Sequence, residues 1–182
     1  MRIISGIYKS RKIVAPKNLP VRPTTDMAKE GLFNILNNHY FFDELSVLDL
    51  FAGTGNISYE FASRGTEHII CVDQDFGCIK FINQTAETFK MPIHTVKSDV
   101  FKFLEGTTTQ QFDIIFADPP YGFADDLFKQ IPELVFKNNL LHEDGLLIIE
   151  HSKNTDLSNI PHYSYSKSYG GNRFSFFEIL EA

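Results

Sequence analysis

Short apolar runs alternate with longer amphipathic segments along most of the chain, and this pattern predicts strands alternating with helices. The apolar runs predict strands over residues 47–50, 68–72, 93–96, 112–117 and 146–149. The amphipathic segments predict helices over residues 57–63, 76–90, 100–104 and 125–136. Such alternation is typical of an α/β fold in which helices cover both faces of a parallel sheet.

The first part of the chain departs from this alternation. Residues 2–5 and 11–14 predict two short strands joined by a turn. The prolines that follow keep the chain extended, because proline disrupts the interior of a helix. Thr24 and Thr25 can then cap a helix that we predict over residues 26–38.

The last part of the chain also differs, since two strand-like segments stand close together there. Residues 163–169 and 174–180 are separated by two glycines and an asparagine, which predicts a hairpin. This hairpin adds an antiparallel edge to the parallel sheet. We therefore divide the chain into an N-terminal basic β-hairpin extension, residues 1–23, and one α/β domain, residues 24–182.

Length and composition are those of a soluble globular protein. The 182 residues are 43% hydrophobic and 22% charged, which is ordinary for one such domain. No apolar stretch approaches the roughly 20 residues that a membrane helix needs, and the N-terminus lacks the features of a signal peptide, so we expect a cytoplasmic protein. Cys71, Cys78 and the six histidines match no metal-binding spacing, so we expect no metal.

Charge is unevenly distributed along the chain. The net charge is −6, but residues 1–29 contain seven basic side chains and one acid, Asp26, which leaves a net charge of −12 for the rest. A local basic patch can bind nucleic acid even on an acidic protein. The residues that we predict to contact RNA are Arg2, Lys9, Arg11, Lys12 and Arg22. A merely solvated basic segment is the alternative interpretation.

A glycine-rich turn, Asp-Leu-Phe-Ala-Gly-Thr-Gly at residues 49–55, follows the first predicted strand. A Walker loop is excluded because no Gly-Lys-Ser/Thr follows, and Ser58 stands where a dinucleotide-binding loop requires glycine. The carboxylate of Asp49 would repel a diphosphate, but it would attract the sulfonium and ammonium groups of S-adenosylmethionine. The turn therefore predicts S-adenosylmethionine as the cofactor.

Acidic residues also end the next two predicted strands. Asp73 can accept hydrogen bonds from the ribose hydroxyls of the cofactor, and Asp99 can accept them from the amino group of its adenine. Each of them, like Asp75, has an alternative interpretation, because an aspartate before a helix commonly caps that helix. The cofactor-binding residues that we predict are Asp49, Phe51, Ala52, Gly53, Thr54, Gly55, Asp73, Gln74, Asp99 and Val100.

The sequence Asp118-Pro119-Pro120-Tyr121 follows the fourth predicted strand. The exocyclic amino nitrogen of a base is a weak nucleophile, and fixed hydrogen-bond acceptors can turn its lone pair toward a methyl donor. The Asp118 carboxylate and the Pro119 carbonyl can provide these acceptors, because the two prolines fix the loop in advance. Tyr121 can stack on a base that is flipped out or unpaired. We therefore predict methylation of an amino nitrogen in a nucleic acid, with these four residues as the catalytic motif.

Several segments of the chain resemble the RsmD family of bacterial small-subunit rRNA guanine-N2 methyltransferases, almost from end to end. The similar segments are residues 1–6, 8–12, 22–26, 29–36, 49–55 and 118–121, with Glu150-His151 and Tyr169-Gly170. The Asp-Pro-Pro-Tyr motif by itself is shared with adenine-N6 enzymes, so the N-terminal segments make the resemblance specific. We interpret His151 as structural rather than catalytic.

The resemblance implies a Rossmann-like class I methyltransferase fold with a seven-stranded, mostly parallel sheet, in the order 3-2-1-4-5-7-6 with strand 7 antiparallel. It also implies methylation of N2 of guanine 966 in 16S rRNA, within an assembling 30S subunit, and we expect a monomer. Two alternatives stay open. One is an adenine-N6 methyltransferase acting on RNA or DNA, and the other is a catalytically silent RNA-binding assembly factor.

Overall fold

The three-dimensional structure is a computed structural model, which describes residues 1–21, 24–106, 109–120 and 122–179. Within these residues the strands are β1 (Ser46–Leu50), β2 (His68–Asp73), β3 (Ile93–Lys97), β4 (Phe112–Ala117), β5 (Leu141–Ser152), β6 (Tyr163–Tyr169) and β7 (Asn172–Glu178). The α-helices are α1 (Asp26–Asn37), α2 (Asn56–Ser63), α3 (Phe76–Phe89), α4 (Val100–Glu105) and α5 (Asp125–Lys137). None of these described helices is both long enough and apolar enough to cross a membrane.

The strands form one sheet in the order β3-β2-β1-β4-β5-β7-β6. Pairing is parallel from β3 through β5, and β7 runs antiparallel to both β5 and β6. The predicted α/β fold and the strand order that the family resemblance implies are therefore confirmed. Because the strand order reverses at β1, the connections after β1 and β4 turn to opposite faces of the sheet and leave a crevice between them.

Alternate strand residues face opposite sides of the sheet, and each side has its own apolar core. Val47 and Ile114 belong to the core covered by α1, α2 and α3, whereas Leu48 and Ile115 belong to the core covered by α4 and α5. Because both faces are buried, the central strands consist almost entirely of apolar residues. This is why they were recognisable in the sequence.

The fifth strand is longer than its apolar run indicates. β5 contains 12 residues, whereas the sequence predicts a strand only over residues 146–149. Residues 142–144 are exposed, so they lack the apolar signal of a buried strand. At the other end, Glu150 and His151 pair with β7. Cross-strand pairing therefore keeps these polar residues in the strand.

The two strands predicted near the N-terminus pair with each other at one β-bridge, between Arg2 and Lys12. Backbone hydrogen bonds beside the bridge extend this pairing. Ile3 and Ile13 are buried in the core that also contains the apolar side of α1. The hairpin is thus packed firmly against the sheet and its helices.

A buried ion pair ties this hairpin to α1 and α2. Lys29 of α1 and Glu60 of α2 have side chains that are 1% and 0% exposed, and their charged atoms lie 3.5 Å apart. Glu60 also accepts hydrogen bonds from the backbone N–H groups of Ile4 and Ser5, at 2.9 and 3.0 Å. Burial lowers the pKa of Lys29, and the neighbouring Glu60 opposes this change. Lys29 is one of the seven basic residues in the first 29, yet it belongs to the interior.

Helix α1 is fixed at its start and along one side. Thr25 Oγ1 accepts a hydrogen bond from Ala28 N at 3.2 Å, so Thr25 is the predicted cap. Gly31 lies against the ring of Tyr169 in β6, and a Cβ at this glycine would come 2.2 Å from the ring. The close contact packs α1 directly on the C-terminal hairpin.

Candidate active site

A cleft of about 1000 Å³ opens at the carboxyl ends of the strands, where β1 and β4 lie side by side. Nine of the ten predicted cofactor residues line it, namely Asp49, Phe51, Ala52, Gly53, Thr54, Asp73, Gln74, Asp99 and Val100. Asp118, Pro119 and Pro120 line the same cleft, whereas Tyr121 lies outside the described residues. The structure therefore brings both sequence motifs to one cavity.

The turn after β1 has a backbone conformation that favours glycine. Gly53 and Gly55 have φ angles of +55° and +81°, in the left-handed region. Gly55 is the predicted cofactor residue that does not line the cleft; it precedes α2, and a Cβ there would come 2.8 Å from Tyr59. Asp73 Oδ2 accepts a hydrogen bond from Gly53 N at 2.8 Å. This bond holds the turn against the end of β2.

Asp49 is the most deeply placed acid of the cleft, with 2% of its surface exposed. Ser58 Oγ donates a hydrogen bond to Asp49 Oδ2 at 2.6 Å, and Cys71 Sγ lies 3.0 Å from the same hydroxyl. Burial raises the pKa of Asp49 to about 7 against the opposing effect of the Ser58 bond, and the charge of Asp73 contributes to the rise. A sulfonium or ammonium group in the cleft would stabilise the charged form. Ser58, which excluded a dinucleotide loop, thus positions this carboxylate.

Asp99 and Asp75 act as helix caps, so the alternative interpretation of these residues is confirmed. Asp99 Oδ1 accepts a hydrogen bond from Lys102 N at 3.0 Å, and Asp75 Oδ1 accepts one from Cys78 N at 2.8 Å. Both aspartates also line the cleft. A carboxylate has about four acceptor positions, so capping leaves some of them for a ligand. Asp73 accepts bonds from the backbone N–H groups of Gly53 and Asp75, and it caps no helix.

The charge of the cleft suits a cation. Its lining contains the aspartates Asp49, Asp73, Asp75, Asp99 and Asp118, and no lysine or arginine is found among the described residues that line it. A nucleoside diphosphate would be repelled here. S-adenosylmethionine carries a sulfonium and an ammonium group, so the residues present fit this cofactor.

Asp118 begins the loop that follows β4, and its backbone N–H donates to a carbonyl of β1 at 3.3 Å. Burial raises the pKa of the Asp118 carboxyl well above its usual range, and the negative charges of Glu150 and Asp49 raise it further. Such a carboxylate is a stronger base than an ordinary aspartate. An N–H group that donates a hydrogen bond to it stabilises its charged form. Pro119 is buried and Pro120 is exposed, so the first proline anchors the loop.

Glu150, at the end of β5, belongs to a segment that resembles the family, but no functional role was predicted for it from the sequence. It is 5% exposed; Thr24 Oγ1 donates to its Oε2 at 2.6 Å, and Asn172 Nδ2 donates to its Oε1 at 2.7 Å. Burial raises the pKa of Glu150, and these two hydrogen bonds oppose the rise. Glu150 and Asp118 both line a second cavity of about 170 Å³. The available signal was an acid at the end of a predicted strand, which also marked Asp73.

His151 lies next to Glu150, and both of its ring nitrogens have partners within the protein. Nδ1 is 2.8 Å from Ser152 O, and Nε2 is 2.7 Å from Ser175 Oγ. Burial lowers the pKa of His151, which favours the neutral ring. This arrangement agrees with the structural interpretation of His151.

Arg2 and Lys12 of the N-terminal hairpin line a groove beside the cleft, whereas the turn that contains Lys9 contacts the last residues of α2 and α3. The predicted RNA contacts Arg2, Lys9, Arg11 and Lys12 are exposed, and Arg22 lies outside the described residues. Arg2 also forms an exposed ion pair with Asp26 at 3.2 Å. A groove of about 590 Å³ separates the hairpin from the cofactor turn, and Lys12, Lys17 and Thr54 help to line it. Because Thr54 also lines the cleft, the groove leads into the candidate active site.

Comparison with known proteins identifies the family. The family model described as "Conserved hypothetical protein 95" matches residues 1–178. Ribosomal RNA small subunit methyltransferase D of Haemophilus influenzae is 30% identical to the chain over 161 residues, which are 86% of this chain and 81% of that protein. The chain belongs to the RsmD family. YlbH of Bacillus subtilis, provisionally named an rRNA methyltransferase, is 36% identical over 161 residues, covering 86% of this chain and 85% of YlbH.

A solved structure of a similar protein has the same fold. The RsmD-family chain superimposes on yhhF of Escherichia coli, provisionally named a methyltransferase, with a TM-score of 0.84 and 28% identity. The match covers 97% of this chain and 96% of yhhF. The predicted family and the predicted class I methyltransferase fold are confirmed. Membership of a methyltransferase family also supports S-adenosylmethionine, the predicted cofactor, as the molecule that the cleft binds.

Proposed function

We propose that this RsmD-family protein transfers a methyl group from S-adenosylmethionine to the exocyclic N2 of one guanine in 16S rRNA, guanine 966 by the family resemblance. The observation that carries the proposal is one cleft lined by Asp49 and the glycine turn on one side and by Asp118 and Pro119 on the other. The name of the Haemophilus influenzae relative supports small-subunit rRNA as the substrate.

The residues of the chain orient the base and receive a proton. The Asp118 carboxylate and the Pro119 carbonyl accept hydrogen bonds from the amino group, which turns the nitrogen lone pair away from both acceptors. S-adenosylmethionine, when bound, supplies an electrophilic methyl group. Asp118 can accept the proton that N2 loses, because its raised pKa makes it a stronger base than an ordinary aspartate.

RNA recognition is assigned to the N-terminal hairpin. Lys9, Arg11 and Lys12 are exposed there, and Lys12 lines the groove that leads to the cleft. The net charge of −6 weakens the affinity for naked RNA. An assembling 30S subunit is therefore the substrate that we expect, since its proteins can supply further contacts. We expect the protein to act as a monomer.

Mass spectrometry of nucleosides tests this function. The protein is incubated with isotopically labelled S-adenosylmethionine and with 16S rRNA, either naked or within 30S particles. We expect labelled N2-methylguanosine at one position and more of it from the 30S particles. Labelled N6-methyladenosine would instead establish the adenine-N6 alternative.

A catalytically silent assembly factor is the second alternative, and the same experiment separates it. If the protein binds S-adenosylmethionine in a calorimeter but transfers no label to either form of the RNA, the proposed reaction is wrong. Binding to 30S particles without transfer would then favour the assembly factor.

A further inference from the structure

The smaller cavity beside Asp118 has the size of a base and not of a whole nucleotide. Its volume of about 170 Å³ is below the roughly 300 Å³ at which most ligand pockets begin. Asp118 and Glu150 directly follow Ala117 and Ile149, which are partners in the parallel pairing of β4 and β5. Residues in equivalent positions of neighbouring strands point to the same side of the sheet. Both carboxyl groups accordingly line this cavity.

Glu150 enters the cavity as a fixed hydrogen-bond acceptor. Thr24 donates to one of its carboxylate oxygens and Asn172 donates to the other, at 2.6 and 2.7 Å. Both bonds prevent rotation of the carboxylate, yet each oxygen keeps a second lone pair. No lysine or arginine is present among the described residues that line the cavity. The buried carboxylate can therefore accept a further hydrogen bond from a ligand.

The walls of the cavity suit a planar ring. Phe123 and Phe128 line it, and their rings meet edge to face with centroids 5.2 Å apart. Aromatic side chains of this kind provide an apolar surface for an unstacked base. Pro119 also lines the cavity, so its carbonyl stands near the same base. The ring that enters must therefore present N–H donors to two neighbouring acceptor groups.

We propose that Glu150 selects guanine by accepting a hydrogen bond from its N1–H. This inference rests on the proposed methylation of guanine N2. In guanine, N1–H is directly adjacent to the N2 amino group, so it faces Glu150 when the amino group faces Asp118 and Pro119. In adenine, the nitrogen adjacent to the N6 amino group carries a lone pair instead. The Glu150 carboxylate would repel that lone pair, and adenine is rejected.

A base analogue that lacks N1–H tests this role. The target guanine of 16S rRNA is replaced by 2-aminopurine, which keeps the N2 amino group, lacks O6 and has a lone pair at N1, and the RNA is reconstituted into 30S particles. We expect the wild-type protein to methylate the 2-aminopurine substrate about 10- to 100-fold more slowly, as for loss of a hydrogen bond to a charged group. Equal rates on the two substrates would overturn the inference.

The substitution Glu150→Gln tests whether Glu150 is responsible for the preference for guanine over 2-aminopurine. A glutamine amide can donate a hydrogen bond to the N1 lone pair of 2-aminopurine. The ratio of the methylation rates on guanine and on 2-aminopurine should therefore be at least several-fold smaller for this variant than for the wild type. The exposed Glu143 of the same strand supplies the matched control, and Glu143→Gln should keep the wild-type preference. If Glu150→Gln also keeps the wild-type preference, Glu150 does not accept the hydrogen bond from N1–H.

A further variant covers the case in which Glu150→Gln does not fold, which loss of S-adenosylmethionine binding would reveal. Asn172→Ala removes one of the two bonds that hold Glu150, and it should also narrow the preference for guanine. An unchanged preference in a folded Asn172→Ala protein would again contradict the inference. Failure of the wild-type protein to methylate the guanine substrate at all would refute the proposed function itself.

Discussion

Asp118 differs from an isolated aspartate in two ways. It is the first residue of a loop that two prolines fix, and it lies close to other acidic side chains. Burial and the charges of Glu150 and Asp49 all raise its pKa. An amino group that donates to Asp118 therefore relieves an unfavourable charge in the free protein. On the proposed mechanism, binding of the correct base and activation of its nitrogen would depend on the same hydrogen bond.

Replacement of Asp118 by alanine should separate cofactor binding from catalysis. We expect turnover on 30S particles to fall by roughly two to four orders of magnitude, as for loss of one positioned polar group. The affinity for S-adenosylmethionine, measured by calorimetry, should change little, because the glycine turn is untouched. Asp126→Asn in the exposed start of α5 is a suitable control. Unchanged turnover of Asp118→Ala in a single-round assay would contradict the mechanism.

Asp49 should make cofactor binding depend on pH. Its pKa in the free protein is raised from 3.8 to about 7, so the carboxyl becomes neutral as the pH falls below 7. We expect the affinity for S-adenosylmethionine to weaken from pH 8 to pH 6, because the cation loses its charged partner. Calorimetry across this range measures the effect, and Asp49→Asn should show weak binding with a flatter pH profile. If the wild type and Asp49→Asn showed the same dependence of affinity on pH, Asp49 would be excluded as the anionic partner of the cofactor.

The same pKa shift has a consequence for stability. The raised pKa means that the folded protein binds a proton at Asp49 that the unfolded chain releases between about pH 4 and pH 7. The free energy of unfolding therefore decreases as the pH rises through this range, by up to about 4 kcal/mol from Asp49 alone. Urea unfolding at pH 5 and pH 8 should show that Asp49→Asn gains stability relative to the wild type at the higher pH. Parallel pH profiles would contradict this expectation.

At the scale of secondary-structure elements, the Lys29–Glu60 pair connects three parts of the chain. It joins α1 to α2, and Glu60 also holds the backbone of the hairpin at Ile4 and Ser5. Arg64 donates to the same carboxylate at 3.0 Å. Loss of the Glu60 charge would leave the buried Lys29 without its anionic partner.

The substitution Glu60→Gln should lower the free energy of unfolding by about 3–5 kcal/mol, the usual effect of breaking a buried ion pair. Chemical denaturation measures it. Arg2→Gln is the matched control, because it breaks the exposed pair with Asp26 and should cost less than about 1 kcal/mol. Similar losses for the two variants would show that burial does not strengthen the Lys29–Glu60 pair.

Local patterns predicted most elements and part of the site, because they depend on neighbouring residues. The five parallel strands had apolar runs, and the glycine turn and the Asp118 motif followed strands directly. Glu150 was missed because its partners come from distant parts of the chain: Thr24 precedes α1, and Asn172 begins β7. The hydrogen bond from Asn172 exists only because β7 is inserted between β5 and β6. Long-range pairing of this kind leaves no periodic signal.

At the scale of the whole molecule, positive and negative charge are segregated. The cleft is lined by aspartates, whereas the N-terminal hairpin carries exposed lysines and arginines, of which Arg2 and Lys12 line the adjoining groove. On the proposed function, RNA phosphates would contact the hairpin, and the acidic cleft would repel them. This separation of charge would allow an acidic protein to use RNA as a substrate.

The double variant Arg11→Gln, Lys12→Gln should weaken binding to RNA and reduce the salt dependence of the binding constant. Each lost phosphate contact lowers the slope of log K against log salt by about one, so we expect a change of about two. Filter binding or fluorescence anisotropy over a salt series measures it. Lys129→Gln, Lys137→Gln removes the same charge from exposed positions of α5. Equal slopes for the two double variants would place the RNA surface elsewhere.

The insertion of β7 between β5 and β6 also determines when the protein can become active during its own synthesis. β5 and β6 leave the ribosome before β7, so Glu150 emerges long before Asn172, which holds one of its oxygens. A nascent chain can build the cofactor turn and the Asp118 loop while the small cavity is still open along β5. On the proposed role of Glu150, discrimination between bases would therefore be acquired last, when β7 enters the sheet and Asn172 donates its hydrogen bond to Glu150.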